Sequence, residues 1–333
     1  MNSMQFTQVI PRLRVLETRL LDKAKIDRMI DGDSANEALK VLQESEYAAI
    51  MTGVKRPEDY EMVLARELKR VYELMYDASP EKSLIDIMSI KYDYHNIKVI
   101  LKAMFLGKDF SYMLIPVGMI DIQTLKHSIE NNNLGELTEA MKEGITKAKE
   151  DFEANKDPQK IDIILDNAMF EEMKEIAKKI NDKFVDKYVR ASIDSTNIKT
   201  LLRVKKQNKD KDFLEEVIIK GGEIDKDTIV SMLNDAPENI SNKLAFTNYG
   251  EMIRTGIEDY SKTGSTNLLE KLADNYIMNM MKEAKFIPFG VEPVLAYVYA
   301  KETEIKIVRI IMVGKLNNIS GEVIRERLRD IYV

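Results

Sequence analysis

An all-α fold is what this 333-residue sequence predicts, arranged as three similar helical bundles. Three observations carry that prediction. Glycine and proline are scarce, at 14 and 8 residues, whereas β-folds need such residues at every turn. Charged residues make up 32% and apolar ones 44%. That is the balance of amphipathic helices with solvated outer faces, and it is too apolar for a disordered chain. The third observation is self-similarity at a spacing of roughly 105 residues.

The helices are legible one by one. Ser34-Ala-Asn-Glu37 has capping-box spacing ahead of an apolar run, so a hydroxyl and a carboxylate can each accept a backbone N–H that lacks an intrahelical partner. The preceding Asp31-Gly32-Asp33 reads as a turn, because its glycine and acids miss the calcium-loop positions. Ile87, Ile90, Tyr94, Ile97, Leu101 and Met104 step by three and four, one apolar stripe along a helix. Ser79-Pro80, Asp157-Pro158 and Glu292-Pro293 place proline at or near a first helical position, where its missing N–H costs nothing. Ser79 is read as a helix N-cap, and Gly314 as the left-handed stop of the helix that starts near Pro293.

The repeat emerges when the chain is laid against itself. YDYHNIKVILKA (92–103), IDSTNIKTLLRV (193–204) and AKETEIKIVRII (300–311) align on Ile97-Lys98, Ile198-Lys199 and Ile305-Lys306. GMIDIQTL (118–125) matches GEIDKDTI (222–229), and DNAMFEEMKE (166–175) matches DNYIMNMMKE (274–283). Short helical patterns recur by chance, but matches in one order at nearly one offset do not. The reading is three units, 1–117, 118–221 and 222–333, each long enough to bury a small core. A pseudo-threefold, funnel-like arrangement is expected. Asn96, Asn197 and Glu304 precede the Ile-Lys pairs, with Asp93, Asp194 and Lys301 three residues earlier. Lys98, Lys199 and Lys306 are the matching cations, and Glu302 has i,i+4 spacing to Lys306.

Chemistry is hard to place on this chain. There is no cysteine, which excludes disulfides, thiolate zinc sites and thiol nucleophiles. His95 and His127 are the only histidines, so no multi-histidine metal centre can form, and His95 reads as a packing or surface residue. Phosphate-loop, dinucleotide-turn, HExxH and GxSxG patterns are absent. Ser79-Pro-Glu-Lys82 matches SxxK and Lys262-Thr263-Gly264 matches KTG, but the SDN element that would join them is missing. Catalytic, cofactor and metal sites are therefore expected to be none. The net charge of −6 gives no general affinity for nucleic acid. VKKQNKDKD (204–212) mixes lysines with acids and lacks aromatics for base stacking, so it reads as a solvated helix end. The longest uncharged stretch, Phe110–Ile120, is broken by Pro116 and Gly118 and is about half the length that spans a bilayer. No leader is legible at the N-terminus, and a soluble protein is expected.

Two apolar, proline-containing loops stay open as contact surfaces: Tyr112–Val117, with Ile115, Pro116 and Val117, and Phe286–Val291, with Ile287, Pro288 and Phe289. Packing between repeats is the plainer role for both.

The segment FGVEPVLAYVYAKETEIKIVRIIMVGKLNNISGEVIRERL (289–328) resembles the C-terminal signature of the C-type subunits of V-type and archaeal-type rotary ATPases, relatives of the eukaryotic d-type subunits. The 92–103 and 193–204 segments are similar to that family's earlier copies of the repeated helix, and LLDKAKIDRMIDGDSANEALKVLQESEY (20–47) to its repeat start. The resemblance implies a non-catalytic, three-bundle socket on the cytoplasmic face of the membrane. The implied partners are the membrane proteolipid ring and the central shaft, with torque passing through in ATP-coupled proton or sodium transport. Glu304 departs from the asparagine of the other copies, which puts strict threefold equivalence in doubt. Two other readings fit the same composition. One is a general helical-repeat adaptor; the other is an enzyme with a carboxylate-based site, which converging perturbed acids would support.

Overall fold

The computed structural model describes residues 3–333, and among them there is no strand. In chain order the first helices are α1 (Val9–Glu17), α2 (Lys23–Asp31), α3 (Ala35–Gln43), α4 (Tyr60–Ala78) and α5 (Ser83–Leu106). There follow α6 (Ile122–Glu130), α7 (Glu139–Asn155), α8 (Pro158–Ile180), α9 (Lys183–Lys206), α10 (Lys211–Val217) and α11 (Lys226–Ser231). The last are α12 (Pro237–Leu244), α13 (Gly250–Thr263), α14 (Asn267–Lys282), α15 (Glu292–Leu316) and α16 (Gly321–Arg327). Packing divides them into two compact units, residues 82–233 and residues 3–81 with 234–333.

In the 82–233 unit, α8 packs against α5, α7 and α9, and α6 lies on α5. Local chemistry sets the ends of these helices. Asp157 caps α8 by accepting from Gln159 N, with Pro158 at the first position. Asp182 caps α9 by accepting from Phe184 N and Val185 N. Arg203, Lys205 and Lys206 in the last turn of α9 complement the exposed carbonyl end of the helix dipole. Gly107 closes α5 at φ +62°, a left-handed conformation that glycine adopts without a Cβ clash. The stripe Ile87, Ile90, Tyr94, Ile97 and Leu101 is buried, but Met104, in the last turn, is 40% exposed. Burial on α5 is also wider than a stripe. Ile85, Met88, Val99 and Ile100 are buried as well, so this helix is enclosed on most of its circumference.

In the other unit α15 is the central element, packed by α4, α3, α14, α1 and α2. Val294, Leu295, Ala296, Tyr297 and Val298 are buried in succession, which a helix with one solvated face cannot do. Gly314 does not stop α15, contrary to the expectation from sequence. The helix continues to Leu316, and Asn318, at φ +54°, takes the left-handed turn. Gly314 is small because Ile324 of α16 packs on it; a Cβ there would lie 2.6 Å from Ile324 Cδ1. Ser79 is likewise not an N-cap. It ends α4, donating its hydroxyl to Glu81 O, and α5 starts four residues later. Ser34 does cap α3, accepting from Glu37 N, while Glu37 accepts from Asp33 N, one residue before the cap.

Candidate functional site

The buried polar residues of α5, α9 and α15 are the most specific feature of the structure, and each clamps a loop. On α5, Asn96 is fully buried. Its Nδ2 donates to Ile115 O at 2.8 Å and its Oδ1 accepts from Ile115 N at 2.8 Å. One turn earlier, Asp93 Oδ2 accepts from Met119 N at 2.7 Å and Oδ1 from Ile120 N at 3.1 Å. On α9 the same four bonds recur. Asn197 exchanges two with Ile219, at 2.8 and 2.9 Å, and Asp194 accepts from Glu223 N at 2.7 Å and Ile224 N at 3.2 Å. Loop and helix touch so closely that glycine is required. A Cβ on Gly118 would sit 2.0 Å from Asp93 Oδ1, and one on Gly222 2.0 Å from Asp194 Oδ1. Both loops run into an aspartate N-cap, Asp121 for α6 and Asp225 for α11.

On α15 the roles shift by one turn. Glu304 Oε2 accepts from Leu21 N at 2.5 Å. Leu21 directly precedes Asp22, the N-cap of α2, as Ile120 precedes Asp121 and Ile224 precedes Asp225. The carboxylate that takes the loop N–H thus comes from the asparagine position, and the aspartate position carries Lys301. Lys301 is fully buried and bonds Glu304 Oε1 at 2.9 Å and Glu67 Oε1 of α4 at 2.8 Å. Tyr47 donates to Glu304 Oε1 at 2.9 Å, and the Lys301 ammonium lies 5.1 Å from the Tyr47 ring centre. Arg70 bonds both oxygens of Glu67 at 2.8 Å, a bidentate pair. Burial works to raise the Glu67 carboxyl, but hydrogen bonds from Arg70 and the charge and hydrogen bond of Lys301 prevail and hold it below its ordinary value. Burial likewise opposes the charge on Lys301, yet Glu304 and Glu67 raise its pKa. Sequence reasoning saw that Glu304 differs and that Lys301 stands where the other copies have aspartate; it missed that the two pair with each other and that Glu67 supplies the second anion.

The lysines at the matching positions reach outward. Lys98 binds Asp166 and Lys306 binds Asp274, the aspartates that open the two matched DN segments. Asp274 also takes Arg329 at 2.9 Å, while Lys199 is half-buried at its position on α9. The expected Glu302–Lys306 pair is not the arrangement found: Tyr72 donates to Glu302 at 2.6 Å, and Lys306 turns to Asp274.

Of the two apolar loops, the first exposes Tyr112 (80%) and Pro116, keeps Ile115 half-buried and buries Val117. His95 Nε2 lies 2.9 Å from Met113 O, so this histidine secures the loop. The second loop exposes Phe286 (85%), Pro288 and Phe289, with Ile287 half-buried. Arg14 holds its start, donating to Ala284 O at 2.8 Å and Ile287 O at 2.7 Å.

These contacts restrain backbone and place no nucleophile beside a base. Among the described residues no three metal-ligating side chains converge, and no helix is long and apolar enough to cross a membrane.

Comparison with known proteins gives one answer along nearly the whole length. Residues 9–327 match the ATP synthase (C/AC39) subunit family. The C-type subunit of the V-type sodium ATPase of Enterococcus hirae is 29% identical over 330 residues, covering 99% of each chain. The C-type subunit of the A-type ATP synthase of Methanocaldococcus jannaschii is 26% identical, covering 97% of this chain and 86% of that one. Its counterpart in Pyrococcus abyssi is 26% identical, covering 96% and 89%. With helix-only architecture, clamped loops and a match across both compact units, the chain belongs to the ATP synthase (C/AC39) subunit family, whose members are non-catalytic, structural parts of V- and A-type ATPases.

Proposed function

We propose that this chain is the central-stalk socket of a V/A-type rotary ATPase, joining the rotating shaft to the membrane proteolipid ring. Its three sequence repeats would stand about a pseudo-threefold axis as a funnel on the cytoplasmic face, attached peripherally and carrying torque for ATP-coupled proton or sodium transport. The observation that supports this reading is the clamp made by Asn96, Asn197 and Glu304. Helices of 24 to 25 residues are levers about 36 Å long. A part loaded in torsion must keep such levers from sliding past their loops, and buried paired hydrogen bonds do that where apolar contact alone would allow slip. The apolar loops around Ile115 and Phe289 would seat the protein on the ring.

Affinity capture of the tagged chain from native membranes tests the proposal. Proteolipid and shaft proteins are expected to follow it; recovery of the chain without either would overturn the socket reading.

A further inference from the structure

Residues 328–333 follow α16 without regular structure, yet they are held at several points. Arg329 bonds Asp274 at 2.9 Å, and Asp330 N donates to Asn275 Oδ1 at 2.9 Å, both on α14. Ile331, Tyr332 and Val333 line a crevice with Leu20, Ala300 and Thr303. Tyr332 is buried, and its hydroxyl donates to Glu17 Oε1 at 3.0 Å. Both oxygens of the same carboxylate take Arg14 Nη1 at 2.9 Å. The other end of that guanidinium, Nη2, is the group that donates to Ala284 O and Ile287 O. Tyr332 also meets this loop directly, with the Lys285 ammonium 4.9 Å from its ring centre. Hydroxyl, carboxylate, guanidinium and loop carbonyls thus form one chain of contacts inside a single compact unit.

We propose that residues 328–333 form a strap that sets the 284–289 loop, with Tyr332, Glu17 and Arg14 as the positioning residues between them. Lifting the strap frees the loop, which carries the exposed Phe286 and Phe289. The basis is the geometry of the fork. A guanidinium is planar, so the plane that Glu17 imposes on Arg14 through Nη1 also fixes where Nη2 points. Glu17 is buried where Tyr332 sits on it, and water competes little for the Arg14 pair there. With Tyr332 withdrawn, Oε1 loses a donor and the pair becomes a solvated one, worth little. Arg14 then meets water in place of the two carbonyls. Those carbonyls lie in and just after the 3₁₀ turn Glu283–Phe286 that follows α14, where carbonyls run short of intrahelical donors. The strap acts on the loop whatever the loop touches.

Amide hydrogen exchange on the full chain, run as a double-mutant cycle, tests the strap. Tyr332→Phe keeps the ring and removes the hydroxyl. The opening equilibrium of residues 284–289 is then expected to rise about three- to tenfold, with α13 unchanged. Arg14→Met should loosen the same loop. Adding Tyr332→Phe to Arg14→Met should change nothing more, because the hydroxyl acts through Arg14. A loop indifferent to Tyr332→Phe, a rise shared equally by α13, or additive effects of the two substitutions would each overturn the proposal. Should Arg14→Met not fold, the Tyr332→Phe result decides alone.

Discussion

Glu304 on α15 holds the backbone N–H of Leu21 at 2.5 Å, across 283 residues of sequence. Its second oxygen takes both Lys301 and Tyr47, so one side chain fixes a loop and neutralises a buried cation together. Removing it leaves Lys301 with Glu67 alone and Leu21 N without its acceptor. Glu304→Ala is expected to destabilise the protein by about 3–5 kcal/mol, read from the midpoint shift of urea unfolding. An unchanged midpoint would show that the carboxylate is dispensable.

Gly118→Ala and Gly222→Ala are expected to cost about 1–3 kcal/mol each, because the new methyl meets the clamp carboxylate. Gly135→Ala is the control, since the nearest atom to its added Cβ is 3.7 Å away. The same unfolding measurement, run on all three variants, should separate the first two from the third.

Asn197→Ala removes a donor and an acceptor from Ile219 at once. Leaving both groups of a buried peptide unpaired is expected to cost about 1–3 kcal/mol. The effect should be local, with hydrogen-exchange protection lost at residues 218–224 before it is lost on α7. Asn96→Ala should do the same at residues 114–120.

Acid should weaken the ion pairs that hold α4, α14 and α15. Glu67 is held below its ordinary value of 4.5, and Asp274 below 3.8 by Lys306 and Arg329 in spite of its burial. Their stabilising contribution is present above those ordinary values and is lost as pH falls through the lower, folded-state ones. Exchange protection on α4 and α15 should therefore fall between pH 4 and pH 2.

Charging exposed Phe289 or half-buried Ile115 probes the proposed assembly separately from stability. Phe289→Glu and Ile115→Glu are expected to leave the circular dichroism spectrum unchanged and to abolish capture of the proteolipid ring. Ring binding by folded variants would remove these loops from the contact surface.

Much of the helical pattern was legible from spacing and capping chemistry, because Asp157-Pro158 and Ser34 act through neighbours in sequence. Gly314 and Ser79-Pro80 show where that logic stops. Each carries the right local signal, but packing of Ile324 and the end of α4 decide the outcome. The clamps were half legible. Asp93 and Asn96 sit in an otherwise apolar helix, and the glycine of each GxID segment recurs 104 residues apart. Their recurrence together, a polar pair with a glycine loop, was the available signal. The ion network around Lys301 had no such signal, since Glu67 comes from a helix more than two hundred residues away.

The distance along the chain between clamp and loop varies freely: 19 residues from Asn96 to Ile115, 22 from Asn197 to Ile219, and 283 between Leu21 and Glu304. The joints are thus indifferent to how the chain is threaded between them. Exposed connector positions such as Lys108 and Lys209 are therefore expected to tolerate an insertion or a fused domain while the gripping surfaces stay as they are. Such connectors are natural places to attach a fluorophore or a torque handle without slackening the molecule.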